Sequence, residues 1–97
     1  MNEAEIVRLT REWVQDNFLY MRPNWALQDT DPMLATGVID SVGVIELVEF
    51  LQRTFGISIA DEEITERNVG SLSAVGRYVA GKCRLDAGAG ERARQVA

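Results

Sequence analysis

Ser41 stands in the string GVIDSVGVIEL, residues 37–47, between Asp40 and the start of an amphipathic stretch, and its setting raises a chemical question. A serine hydroxyl becomes a nucleophile beside a general base. This chain has no histidine, so a Ser-His-Asp triad cannot be built within it. The ordinary role for Asp40 or Ser41 is a helix N-cap, worth about 1 kcal/mol. A helix start also offers free backbone N–H groups and the positive end of the helix dipole to an anion, so a phosphoryl group attached at Ser41 would meet a favourable field. Helix-start physics permits both roles and selects neither.

Other candidates are weaker. Asp29, Asp31 and Asp40 occupy the first, third and twelfth places of a calcium-loop pattern. Met33 and Leu34, however, fill the fifth and sixth places, where such a loop needs an oxygen ligand and glycine, so calcium binding is rejected. Cys83 has no second cysteine to pair with and no histidine to share a metal, which leaves a partly buried, free thiol. Asp61, Glu62 and Glu63 read equally as an acidic first turn of a helix and as a partner-binding patch.

Charge narrows the function classes. Residues 29–66 carry a net charge of −8, residues 67–97 a balance of +4, and residues 1–28 only −1. A strongly acidic middle steers toward basic partner surfaces and argues against nucleic acid. Hydrophobic residues make up 46% of the 97 and charged residues 26%, so the chain should fold, as one small domain. It contains no apolar run long enough to span a membrane, and residues 1–8 lack a signal-peptide pattern, so a cytoplasmic protein is expected.

The elements that must position Ser41 follow from periodicity. Ile6, Leu9 and Trp13 predict a first helix over 3–16, with Glu3 and Glu5 at its N-terminal end. Residues 17–39, interrupted by Pro23, Pro32 and Gly37, read as a long loop with apolar anchors, of a length that is ordinarily pinned or functional. Residues 41–55 give the strongest helical pattern. Val44, Leu47, Val48, Leu51 and Phe55 share one face, while Glu46, Glu49 and Arg53 lie opposite. Val42 falls among those charges and Ile45 at the edge of the apolar face, which a core-only account does not predict. Gly56 suits the helix end, Asp61–Glu66 predicts one short acidic helix, and Ser71 caps a last helix. The expected fold is all-α: a four-helix bundle with a long loop between helices one and two and a short third helix. Residues 1–83 form the domain and 84–97 a flexible C-terminal tail.

The string from Gly37 to Ile57 resembles the signature of acyl carrier proteins, in which an Asp-Ser-hydrophobic triplet opens the second helix of a four-helix bundle. The resemblance covers roughly residues 4–83. It implies that a phosphopantetheinyl transferase attaches 4′-phosphopantetheine from coenzyme A to Ser41, with Asp40 as part of the motif, making a phosphoprotein whose arm holds cargo as a thioester. It also implies that the chain is a carrier and not an enzyme, which fits the missing histidine. Val42, Ile45, Glu46 and Glu49 then match the exposed positions such carriers present to basic partners, with Asp61, Glu62 and Glu63 extending the docking face. The implied partners are the transferase, an adenylating ligase or acyltransferase that loads the arm, and a downstream acceptor enzyme; the carrier itself is expected to be a monomer.

Val42 stands where leucine is commoner, and Gly43 where fatty-acid carriers usually have an acidic residue. The pattern looks more like D-alanyl and stand-alone aminoacyl carriers, so an amino acid or short acyl group is the expected cargo. A fatty-acyl or polyketide carrier is the alternative within the family. A helical adaptor that keeps the fold but carries nothing, with Ser41 as a cap and the acidic face as its docking site, is the alternative outside it.

Overall fold

The computed structural model describes the backbone of residues 2–96 and side chains for residues 2–84. Its helices are α1 (Glu3–Phe18), α2 (Ser41–Phe55), α3 (Glu66–Val69) and α4 (Leu72–Val96), with a single 3-10 turn at Asp61–Glu63. No strand occurs among the described residues, and the architecture is the expected all-α bundle with a long first loop and a short third helix.

α1 begins where Asn2 Oδ1 accepts the Glu5 N–H at 2.9 Å, with Glu3 and Glu5 near the positive end of the helix. The line it buries is Ile6, Thr10 and Val14, all fully enclosed, while Leu9 and Trp13 are only partly covered. Trp13 is turned sideways toward α2. Its ring stacks on Phe50 at 4.8 Å and meets Phe18 edge-on at 5.4 Å, so aromatic pairing draws it off the α4-facing line. The interface between α1 and α4 is the most extensive in the bundle.

α2 has the expected bounds. Leu47, Val48 and Leu51 are buried, with Val44 and Phe55 half-buried at the margins. Gly56 ends the helix in the left-handed region, φ 65°, where its N–H donates to Gln52 O at 3.0 Å. The Gln52 side chain then accepts the Ile59 N–H at 2.8 Å, which holds the extended segment so that Ile57 and Ile59 point inward and Ser58 outward.

The short acidic helix expected over Asp61–Glu66 is two separate pieces. The 3-10 turn stops at Glu63, Ile64 leaves helical geometry, and the Thr65 hydroxyl caps a new helix by accepting the Asn68 N–H at 3.3 Å. A second capping residue inside the run restarts the chain in a new direction. Ser71 caps α4 as expected, its hydroxyl accepting the Ala74 N–H at 3.2 Å. The α4 backbone then runs to Val96, well beyond the expected end of the domain. The flexible tail expected over 84–97 falls, beyond Arg84, on side chains outside the described residues.

The long loop is held to the bundle through its second half. Arg11 donates to the Leu27 carbonyl and to the Asp29 carboxylate, and Ser73 donates to the Asp29 carbonyl through both N–H, at 2.8 Å, and Oγ, at 3.0 Å. The Met33 N–H reaches Gly70 O at 2.9 Å, and the Leu27, Met33, Val38 and Ile39 side chains are buried. This is the pinned loop its length predicts.

Candidate functional site

Asp40, in extended conformation, is the N-cap of α2: its Oδ1 accepts the Gly43 N–H at 2.7 Å, and its carbonyl accepts the Val44 N–H at 3.0 Å. Ser41 is therefore the first residue inside the helix and is not needed as a cap. It is exposed, and its hydroxyl makes no hydrogen bond among the described residues. The Ser41 and Val42 N–H groups are likewise without partners there, so the free hydroxyl stands beside two open donors at the positive end of a 15-residue helix. A phosphodiester on Ser41 Oγ would fit this setting, because nothing covers the oxygen and the adjacent donors favour the negative charge.

Val42 and Ile45 are 63% and 58% exposed, large values for apolar side chains on a helix whose other face is core. With Ser41, Glu46 and Glu49, at spacings of three and four, they make one strip that descends from the hydroxyl. Asp61 and Glu62 are exposed on the 3-10 turn. Glu63, on the same turn, faces the bundle. Its carboxylate accepts from Lys82 Nζ at 2.9 and 3.0 Å, from the Tyr78 hydroxyl at 2.8 Å and from the Ala60 N–H at 3.1 Å. The Lys82 bond, then the Tyr78 bond, then the Ala60 bond hold its pKa down to about 2.

One turn after Ser41, Val44 forms a wall of a mainly apolar cavity of about 140 Å³, shared with Leu34 and Ile39 of the loop, with Ile64 and Val69, and with Thr65, Glu66 and Gly70. Periodicity alone assigns Val44 to the core and Leu34 to the loop anchors, and gives Ile39 no role.

The remaining candidates are placed in other roles. Asp29 pairs with Arg11, Asp31 accepts the Gln28 N–H at 2.9 Å, and Asp40 caps α2, so the calcium-pattern carboxylates are separately engaged. No group of three or more His, Cys, Asp or Glu side chains among the described residues could hold a metal. Cys83 is half-buried with a free thiol. No described helix is long and apolar enough to cross a membrane.

A family model described as "Phosphopantetheine attachment site" covers residues 21–75, more than half of the chain, and takes in most of the long loop, all of α2 and α3 and the start of α4. No curated protein matches the chain significantly.

Proposed function

The chain belongs to the phosphopantetheine-attachment family, that of the acyl carrier proteins, and from that premise we propose that Ser41 is the attachment residue and that the cargo is a short acyl or apolar aminoacyl group. Members of this family are carriers and not enzymes, and they hold 4′-phosphopantetheine covalently. The observation that carries the assignment to Ser41 is the division of roles at the start of α2. Asp40 satisfies the helix end, which leaves the Ser41 hydroxyl exposed and unbonded beside open N–H donors.

When attached, the group supplies a flexible arm ending in a thiol that carries cargo as a thioester. Ser41 Oγ provides the oxygen that bonds to phosphorus as coenzyme A loses its adenosine bisphosphate with the bonding electron pair, and the hydroxyl proton passes to a base of the transferase. This chain contributes position and charge. Val42 and Ile45 offer a small apolar contact with Glu46 and Glu49 beside it on the same helix, and the exposed Asp61 and Glu62 add carboxylates that complement a basic partner surface. Glu63 is engaged by Lys82 and Tyr78, so the docking role is assigned to its neighbours.

The cargo reading rests on the cavity. At about 140 Å³ it is close to a size that accepts a benzene-sized guest, with room for a few carbons and not for a long fatty chain. Partners of the implied kind are a phosphopantetheinyl transferase, a loading ligase or acyltransferase, and an acceptor enzyme.

Incubation of the apo-protein with coenzyme A and a phosphopantetheinyl transferase should add the mass of one phosphopantetheine to the wild type and none to Ser41→Ala. An unmodified wild type across several transferases would overturn the assignment. Loading the modified protein with a short apolar group should move the methyl resonances of Ile39, Val44, Ile64 and Val69. If these stay still, the cavity does not receive the cargo.

A further inference from the structure

Gly43 lies in the first turn of α2, where glycine costs helix stability relative to alanine and so needs a reason. A Cβ at this position would lie 3.0 Å from Phe18 Cε1, 3.2 Å from Phe18 Cζ and 3.1 Å from Ile39 Cβ, closer than side-chain carbons ordinarily pack. Phe18 is itself backed by Trp13, which stacks on Phe50. Ile39 is 3% exposed and immediately precedes the capping Asp40. Residue 43 is thus held on several sides: the Asp40 carboxylate takes its N–H, the Phe18 ring covers its Cα, and Ile39 closes the remaining side.

We infer that Phe18 and Gly43 form a positioning pair that fixes the first turn of α2, and with it the direction of the Ser41 hydroxyl during modification. Neither residue touches the reacting atoms. A methyl group at 43 pushes on the Phe18 ring and on Ile39, and through Ile39 on the cap that sets where Ser41 begins. The required shift is a few tenths of an ångström, and since a misplacement of about 1 Å can cost about a hundredfold in rate, a smaller one is expected to cost less than that. Gly43 therefore has a packing reason that is independent of cargo.

The inference rests on Ser41 being the attachment residue, and the experiment separates the two. Steady-state modification by a phosphopantetheinyl transferase is followed by intact mass for the wild type, Gly43→Ala, Phe18→Leu and Phe18→Leu/Gly43→Ala, with thermal unfolding of each followed by circular dichroism. Gly43→Ala should lower kcat about tenfold while KM for the carrier stays within about twofold, because the docking strip is unchanged. The double variant, with room made for the methyl group, should recover most of that loss. Wild-type kcat in Gly43→Ala, a loss confined to KM, or a double variant no faster than Gly43→Ala would overturn the pair. If Gly43→Ala does not fold, the double variant decides: it should fold and be modified at near wild-type kcat, and a folded double variant that stays slow overturns the proposal. Absence of modification in all four proteins would count against Ser41 as the attachment residue.

Discussion

Lys82 donates to both carboxylate oxygens of Glu63, at 2.9 and 3.0 Å, and so ties the segment leading into α3 to the α4 helix it packs on. The Tyr78 hydroxyl adds a second link from α4 to the same carboxylate at 2.8 Å. Ile64, the next residue, lines the cavity, so this contact fixes one wall of it.

The pH dependence of stability follows from that contact. The Glu63 pKa is about 2 in the folded protein against 4.5 ordinarily, so the folded state favours the ionised form. Its contribution is fully present above pH 4.5 and is lost as pH falls toward 2. Glu63→Gln should unfold at lower temperature than the wild type at neutral pH, and the gap between their unfolding midpoints should narrow through that acid range. A gap that is constant with pH would mean that the carboxylate charge contributes nothing.

Asp40→Ala removes the side-chain acceptor for the Gly43 N–H and should destabilise the protein by about 1 kcal/mol in urea unfolding. Asp40→Asn keeps a capping oxygen and should retain most of the stability. If the two variants are equally destabilised, charge at this position matters more than the cap.

The exposed strip separates stability from recognition. Val42→Ser and Ile45→Ser should each change stability by less than about 0.5 kcal/mol, since neither side chain is in the core. Both should lower kcat/KM for modification by raising KM. Glu46→Lys and Glu49→Lys should slow association at low salt, with the difference from wild type shrinking as ionic strength rises, measured by stopped-flow binding to the transferase.

Thr10 is fully buried, and its hydroxyl has no hydrogen-bond partner. Thr10→Val keeps the shape and removes the stranded polar group, so it should stabilise the protein by about 1 kcal/mol in urea unfolding. A destabilised variant would show that the hydroxyl has a partner in solution.

What could be read from sequence divides along the chain. α2 was legible to the residue, because its apolar period is strong and Asp40 and Gly56 mark its ends. The exposure of Val42 was legible from its place against that period, whereas Ser41 stood out only through the resemblance of its motif. The buried face of α1 was only partly legible: Thr10, a polar residue, occupies the core line, and Trp13 is drawn aside by Phe50. The break at Ile64 was hidden because Thr65 inside an acidic run is as good a helix residue as a cap until the fold decides. The roles of Glu63 and Gly43 depend on Lys82 and Phe18, which lie far away in sequence, and no local pattern carries that information.

The hold on Asp29 divides the connection between α1 and α2 into two independent spans. Extra sequence inserted between Pro23 and Asn24, which are both exposed, would open the Arg22–Trp25 turn but leave the second span intact, and loop closure penalises length weakly, by about 0.6 kcal/mol per doubling. The same insert between Asp29 and Pro32 would separate the Arg11 and Ser73 anchors from Met33 and Ile39, and would reach the approach to Ser41. The carrier thus has a permissive half and a rigid half within one loop, and a tag or fused module belongs in the first.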